Sequence, residues 1–336
     1  MAVLHRPAAA RPLSPPSGWR AVRPVLAALL LGAVALRLLA GVGIAPLQTF
    51  LLVVTSLLIE AFPFILLGAV VSAVIEVFVP ARWFARLAVL PRAVQMPAAG
   101  LGGFAFPVCE CGSVPVARRL VAKGMPPGAA ITFMLAAPVL NPVVLVATGV
   151  AYAGRGTAWP MVLGRAGLAL AAALAAGWVL GRRSRDEILR TPGDDIGDDH
   201  PAENRGRAFF THLAGDFLYL GRFLVIGAAV AGLLQTFVPQ SVIGVVADTP
   251  VLSIVAMMGL AAVLSLCSES DAFVAASFVQ FGPAAQLAFL VFGPMVDAKL
   301  IALYAGTFGR AVLPAVVVTT AAVTLAGALW LEVVLG

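Results

Sequence analysis

The sequence predicts an all-α, polytopic membrane protein made of two inverted repeats with broken or re-entrant helices, plus an extra N-terminal helix. The 336 residues are 61% hydrophobic and only 11% charged, which is far more apolar than a soluble domain. The apolar residues form long runs, and the polar segments that interrupt them occur twice at matching places. The chain is therefore expected in a membrane, with its polar interruptions inside the bilayer.

Several apolar runs reach the length of about 20 residues that a helix needs to cross a bilayer. They lie near 24–45, 47–79, 127–150, 160–180, 209–238, 283–306 and 310–333. Two further stretches, 97–120 and 251–279, carry Cys, Glu and Asp residues at their centres. The runs at 47–79 and 209–238 exceed a straight crossing, so we expect them to tilt or bend, the first at Pro63.

Three landmarks of the first half recur in the second half at nearly constant spacing. They are a Phe-Val-Pro sequence, a cysteine beside acidic residues, and a polar residue three positions after a proline. The pairs are Pro80 and Pro239 (159 apart), Cys109 and Cys267 (158 apart), and Asn141 and Asp297 (156 apart). This near-constant offset indicates an internal duplication. Paired Gly/Pro interruptions in two halves of a membrane protein point to a transport site near the bilayer midplane.

The duplication defines the domain organisation. The segments are a basic cytoplasmic tail (1–23), an extra transmembrane helix (24–45), repeat A (47–181), a flexible cytoplasmic loop (182–207) and repeat B (208–336). The loop is assigned from its mixed charges and lack of apolar residues. The formal net charge of +6 is explained by cytoplasmic loops rich in Lys and Arg, and without stacking aromatics it does not indicate a nucleic-acid partner.

The orientation of the repeats depends on the Cys-containing segments. If 97–120 enters, breaks near Pro107 to Pro115 and returns, the basic residues on both sides of it are cytoplasmic, as the positive-inside rule favours. The matching exit at 274–282 carries no charge, which fits two oppositely oriented repeats. The alternative is that both segments cross once and the repeats are parallel.

Four carboxylates lie inside the interrupted regions, where an acidic residue costs roughly 2.5 to 3.5 kcal/mol. Glu110, Glu269, Asp271 and Asp297 are candidates for substrate binding and for proton coupling, and Asp297 has Lys299 as a possible partner. Alternatively, they lie at interfacial depth and only cap helix breaks. The further candidate substrate-binding residues are Cys109, Cys111, Ser113, Asn141, Cys267, Ser268 and Ser270, while Glu60 and Glu76 are weaker candidates.

All three cysteines of the chain lie in the interrupted segments. Cys109 and Cys111 are two residues apart and diverge on a helix, yet either could meet Cys267 across the repeat axis. Thiolates suit soft ions and thiophilic metalloids. The alternative is that the cysteines only pack as small apolar residues.

Two runs of sequence resemble a known family. PVCECGSVPVARRLVAKGMPPGAAITFMLAAPVLNPVVL and LSLCSESDAFVAASF resemble the predicted-permease family that includes the ArsP organoarsenical efflux permeases, over about 47–333. The resemblance implies a multi-pass permease of the bacterial inner membrane, with trivalent organoarsenicals as the exported substrates of characterised members. It assigns substrate recognition to the thiols of Cys109, Cys111 or Cys267, with Asn141, Ser270 and Asp271 as polar partners.

We therefore expect a permease, and not an enzyme, that exports a small solute through a midplane site between the repeats. Candidate solutes are a trivalent organoarsenical or another thiophilic species. The expected partners are the substrate, membrane lipid and other copies in an oligomer, with no cofactor and no bound metal, since the histidines lack ligand spacing and a nucleotide-binding loop is missing. The competing hypotheses are a membrane thiol oxidoreductase that uses the Cys-x-Cys segment, and a passive channel or scaffold subunit.

Overall fold

The architecture is taken from a computed structural model, which describes residues 45–80, 90–105, 108–189, 205–237 and 250–335. The predicted tail, 1–23, and nearly all of the predicted extra helix, 24–45, lie outside these residues. Within them the regular structure is helical, with one isolated antiparallel bridge between Leu189 and Phe308.

The helices form two sets with the same order. The first set comprises α1 (Ala45–Phe78), α2 (Arg92–Ala105), α3 (Glu110–Ala122), α4 (Pro127–Leu140), α5 (Pro142–Ala151) and α6 (Ala158–Leu180). After a short helix, α7 (Arg185–Ile188), the second set comprises α8 (Arg205–Phe237), α9 (Pro250–Leu264), α10 (Asp271–Ser277), α11 (Pro283–Phe292), α12 (Ala298–Thr307) and α13 (Val312–Leu335). The duplication read from the sequence is thus a duplication of helix order.

Helices α2 and α3 form a re-entrant hairpin. Gly100 of α2 lies against Thr132 of α4. Further along both helices, Gly103 lies against Ala137, so α2 and α4 are parallel. Helix α3 is joined to α4 by a short turn at 123–126 and packs against it in the opposite direction. Since α2 and α3 flank the same helix with opposite directions, they are the two arms of a hairpin.

The second set repeats the contact that defines the hairpin. Ala261, near the end of α9, lies against Gly293 at the end of α11. By the sequence offset, this pair is the counterpart of Gly103 and Ala137 in the first set. Both hairpin tips therefore lie at the depth where a crossing helix is interrupted.

The two long helices α1 and α8 are counterparts, and they pack together along their length in opposite directions. Ser72 donates a hydrogen bond to Asp216 at 2.6 Å near one end. Towards the other end, Val54 lies against Gly232. The residue numbers of α1 rise in the direction in which those of α8 fall, so these two counterpart helices run antiparallel. The repeats are therefore inverted, and the alternative of parallel repeats with single crossings is wrong.

Helix α6 shows that α4 and α5 together make one interrupted crossing. Thr132 of α4 contacts the carbonyl of Ala173 at 3.4 Å, and Thr148 of α5 accepts a hydrogen bond from Arg165 at 2.8 Å. One antiparallel helix thus runs beside both halves. Each repeat then has three crossings and a hairpin that returns to its own side. Because three is an odd number, the second repeat begins on the opposite side of the membrane from the first.

Five helical segments among the described residues are long and apolar enough to span a bilayer. They are Leu47–Phe78, Pro127–Ala151, Ala158–Leu180, Arg205–Thr236 and Val312–Val333. Their lengths and composition, together with the re-entrant hairpins, make the chain a multi-pass membrane protein.

Helix α1 includes Pro63. The structure departs from the sequence prediction at two places. Helix α3 begins at Glu110 and includes Pro115, so the chain is helical again before the end of the break predicted from Pro107 to Pro115. At the start of the predicted flexible loop, α7 is held by a hydrogen bond from the Ser184 amide to Glu187 at 3.3 Å. Residues 190–204 of that loop lie outside the described residues.

Candidate functional site

The two interrupted crossings are broken in the same way. Asn141 ends α4, and its side-chain oxygen accepts the amide of Val143 at 3.0 Å, which caps α5. Asp297 occupies the equivalent place, and its carboxylate accepts the amide of Leu300 at 2.6 Å at the start of α12. These caps satisfy amides that lipid could not hydrogen-bond, so the backbone can break inside the bilayer.

The returning arm of each hairpin begins with a carboxylate. Glu110 is the first residue of α3 and Asp271 is the first residue of α10. Both side chains are buried. A helix N-terminus carries about half a positive charge, which favours an ionised carboxylate in its first turn. The helix ends thus help to retain Glu110, Asp271 and the capping Asp297 in an apolar surrounding.

Glu110 connects the two repeats at the centre of the molecule. One of its carboxylate oxygens accepts a hydrogen bond from Ser268, in the tip of the second hairpin, at 3.0 Å. Its other oxygen lies 3.8 Å from the ammonium nitrogen of Lys299, which is also 3.6 Å from a carboxylate oxygen of Asp297. Lys299 is 1% exposed, so this cation is enclosed between two carboxylates from different repeats. The predicted pairing of Asp297 with Lys299 is confirmed.

A second buried pair fixes the tip of the other hairpin. The guanidinium of Arg165, in α6, lies 2.7 Å from a carboxylate oxygen of Asp271. It also donates to the hydroxyl of Thr148 at 2.8 Å and to the carbonyl of Ser268 at 3.2 Å. The arginine side chain is fully buried, and it ties α10 to the crossing helices of the first repeat.

A thiol and two carboxylates converge beside this pair. One ligand atom each from Glu110, Cys267 and Glu269 lies within 4.8 Å of the other two. Cys267 is buried and Glu269 is half-buried. Cys111 and Glu60 are close enough to interact electrostatically with Cys267. We define Glu110, Cys267, Ser268, Glu269, Asp297 and Lys299 as the central cluster.

The remaining predicted residues lie near the central cluster but make local contacts. Cys109 is the buried residue before α3, and its thiol lies beside Gly112 in its own turn. Ser113 donates to the carbonyl of Glu110 at 2.9 Å, and Ser270 donates to the carbonyl of Cys267 at 3.1 Å. All three cysteines are free thiols. The hairpin tips thus approach each other through Glu110, Cys267 and Ser268.

A further buried ionic network lies at the other end of α3. Arg119 contacts a carboxylate oxygen of Asp216 at 3.1 Å and one of Glu76 at 3.3 Å. Lys123 lies 3.9 Å from Glu76, and Ser72 donates to Asp216. We call these residues, Ser72, Glu76, Arg119, Lys123 and Asp216, the inner network. The inner network joins α1, α3 and α8, and it places Glu76 away from the central cluster.

Sequence reasoning did not identify Arg165 or the inner network. Arg165 did leave a signal, because it is the only charged residue in the apolar run 160–180, and an intramembrane charge marks a functional or pairing position. The signal for Asp216 was weaker, since it follows the polar start of α8.

Two inverted repeats whose interrupted helices meet in a buried polar cluster define the architecture of a multi-pass membrane transport protein. The sequence profile of a family described as a predicted permease, ArsP_1, matches residues 46–332. The chain belongs to this predicted permease family. The family supports a permease in the cell membrane rather than an enzyme.

Two relatives cover most of the chain. UPF0718 protein YcgR of Bacillus subtilis is 40% identical over 281 residues, which are 82% of this chain and 94% of the relative. A protein of Streptococcus mutans named putative two-component membrane permease complex subunit is 35% identical over 258 residues, 75% of this chain and 85% of the relative. Comparison with solved structures gave no significant match.

Proposed function

We propose that this permease exports a small thiophilic solute, and that the central cluster between the two repeats is its binding site. The observation that carries the proposal is the convergence of Glu110, Cys267 and Glu269 from both hairpin tips within 4.8 Å. Each hairpin reaches this point from its own side of the membrane. A solute bound there would contact both repeats, as an alternating-access mechanism requires.

Proton coupling is assigned to the carboxylates of the same region. Glu110, Glu269, Asp271 and Asp297 are the acidic groups that the interrupted segments bring to the centre. Glu110 and Asp297 share one ammonium group, so a change at either carboxylate alters the charge balance around Lys299. Binding of the solute and binding of a proton would then compete at one place, so that uptake of a proton promotes release of the solute.

Thiophilic chemistry is proposed from the position of Cys267. Its thiol is the soft donor, and the other two groups of the set are carboxylates; Cys111 is close enough to interact electrostatically with Cys267. The resemblance to the organoarsenical efflux permeases makes a trivalent organoarsenical the first solute to test. An oxidoreductase would instead use the Cys-x-Cys segment, but Cys109 and Cys111 are both buried, two positions apart at the start of one helix.

The test is growth of an arsenic-sensitive bacterial host in methylarsenite. Expression of the chain should confer resistance, and Cys267→Ser should abolish it while the protein level in the membrane is unchanged. Glu187→Gln, which alters an exposed acidic residue of α7, is the control. Equal resistance with Cys109→Ser, Cys111→Ser and Cys267→Ser would remove the thiol model.

We also propose that a second membrane subunit assists the chain, on the basis of the name of the S. mutans relative. Affinity purification of the chain from its native membrane in mild detergent should yield a stoichiometric second membrane protein. Recovery of the chain alone, in a form that transports in vesicles, would contradict this part of the proposal.

A further inference from the structure

We infer that the cargo of the central cluster is a divalent cation of the Zn²⁺ type, held by Glu110, Cys267 and Glu269. This inference rests on the proposed function and specifies its substrate class. Ligand atoms around one tetrahedral zinc lie about 3.3 to 3.8 Å apart, given bonds of about 2.0 to 2.3 Å. The three atoms here lie within 4.8 Å of one another, so changes in the two flexible Glu side chains can close the difference.

The composition of the ligand set selects the kind of ion. Soft ions and metalloids are bound best by several thiolates, and hard ions such as Mg²⁺ by oxygen ligands alone. One thiol with two carboxylates is a mixed set, which suits borderline Zn²⁺. Three protein ligands also leave a fourth position open, as expected at a site where the ion must be taken up and released.

Unsatisfied oxygens give an independent indication of a ligand. Glu110 is 1% exposed, and its Oε1 makes no hydrogen bond among the described residues. Glu269 Oε2 is likewise buried without a hydrogen-bond partner in the described part of the chain. Glu269 also lies outside the first turn of a helix, so it lacks the dipole that supports the other carboxylates. Lys299 faces Glu110 Oε1 at 3.8 Å without a hydrogen bond. A cation bound directly to this oxygen and to Glu269 Oε2 would offset part of the cost of burying them.

A divalent cation offsets most of the buried negative charge. Ionised Glu110, Glu269 and Asp297 and the Cys267 thiolate contribute four negative charges, and Zn²⁺ with the neighbouring Lys299 contributes three positive charges. The thiol releases its proton as it binds the metal. Asp271 is already neutralised by Arg165, and Asp297 is retained at the start of α12.

The contacts around Glu110 would orient it for the ion. Ser268 donates to one carboxylate oxygen, and Lys299 approaches the other. Such outer contacts are a regular feature of metal sites and fix the direction of the ligand. The ammonium group of Lys299 also competes with a bound ion for the Glu110 carboxylate. This competition favours release of the ion over tight binding.

The experiment measures Zn²⁺ binding to the full chain in lipid nanodiscs, by equilibrium dialysis with excess Mg²⁺ present. We expect about one Zn²⁺ per chain, with the affinity lowered at least about tenfold by Cys267→Ser and by Glu269→Gln. Cys109→Ser, a buried thiol outside the ligand set, should change the affinity less than about twofold. Equal affinity in Cys109→Ser and Cys267→Ser would overturn the inference.

A second measurement avoids any dependence on the folding of variants. Co²⁺ bound to the unaltered chain should give the thiolate-to-cobalt charge-transfer absorption, and a spectrum without this band would overturn the ligand assignment. The cation and the proposed export can be rejected separately. Export of methylarsenite that depends on Cys267, without Zn²⁺ binding, would reject the cation and retain the proposed function; vesicles that move neither solute would reject both.

Discussion

At the residue scale, the molecule is organised around buried charges that are shared between its halves. Lys299 follows a helix break of the second repeat, and its ammonium group faces Glu110 from the first repeat as well as Asp297. The equivalent position of the first repeat is Val143, which carries no charge. The two repeats therefore share the same helix order and the same interruptions. They differ at single positions such as Val143 and Lys299, and these differences determine where the buried charges lie.

Replacement of Lys299 tests whether this cation is a structural requirement of the cluster. Lys299→Met leaves two buried carboxylates without their cation, so the free energy of unfolding should fall by about 3 to 5 kcal/mol. Adding Glu110→Gln removes one of the unpaired charges and should recover part of that loss. Denaturant unfolding in mixed micelles checks the result, and strictly additive losses in the double variant would contradict the pairing.

Which residues form the cluster could be predicted in part from the sequence. The positions of Glu110, Cys267 and Asp297 followed from the repeat offset, because equivalent interruptions of inverted repeats meet at one depth. Ser268 was also a candidate, but its contact with Glu110 and the role of Arg165 depend on which helix faces which, and spacing along one chain does not contain that information. Asn141 illustrates the limit, since its side chain is used to cap α5.

At the element scale, close helix contacts hold the hairpins in place. A Cβ atom at Gly68 of α1 would lie 2.6 Å from the backbone of Gly112 in α3, so these helices pack with their backbones nearly touching. Gly227, the counterpart of Gly68, instead lies against the backbone of Lys299 in α12. Small residues allow such approach in membrane helices, where packing replaces the hydrophobic effect.

Gly68→Ala should force α1 away from the first hairpin. We expect lower thermal stability of the purified chain and reduced transport, because the added methyl group overlaps the backbone of Gly112. Gly221→Ala is the matched control, since a Cβ there meets nothing within 4 Å in the middle of α8. The control should be neutral or slightly stabilising. Equal behaviour of the two variants in a thermal unfolding assay would show that the contact is loose.

The ion pair of Arg165 and Asp271 should connect the second hairpin to α6. Arg165→Leu leaves the Asp271 carboxylate buried and unpaired, with an expected loss of about 3 to 5 kcal/mol in unfolding free energy. Combining it with Asp271→Leu should restore much of the loss, because no isolated charge remains. A double variant no more stable than Arg165→Leu would mean that the other contacts of the guanidinium, to Thr148 and Ser268, dominate.

At the scale of the whole molecule, three crossings per repeat and antiparallel α1 and α8 make the two halves inverted. The sequence predicted this from the basic residues after the first hairpin and their absence after the second. It did not predict the inner network of Arg119, Asp216 and Glu76, which requires three helices to meet. Long-range pairs of this kind depend on packing, and the pattern of apolar runs leaves them undetermined.

Labelling of introduced cysteines tests the inverted arrangement. Arg155→Cys and Gln280→Cys should react with a membrane-impermeant maleimide added to intact cells, because the orientation predicted from the positive-inside rule puts both exposed positions on the outer side. Arg183→Cys should react only after lysis, and the chain without an added cysteine corrects for the buried native thiols. Reaction of Gln280→Cys and Arg183→Cys from the same side would contradict the inversion.

The measurement that tests the central site most directly is solute flux in proteoliposomes that contain Glu110→Gln. Glu110 links the first hairpin to Ser268 and Lys299 of the second repeat, whereas the control Glu187→Gln makes the same isosteric change at an exposed residue of α7. We predict that Glu110→Gln loses at least about 100-fold in flux of Zn²⁺ or methylarsenite, a loss of about 2.7 kcal/mol, while Glu187→Gln retains it. Undiminished flux through a correctly folded Glu110→Gln chain would contradict a transport site between the repeats.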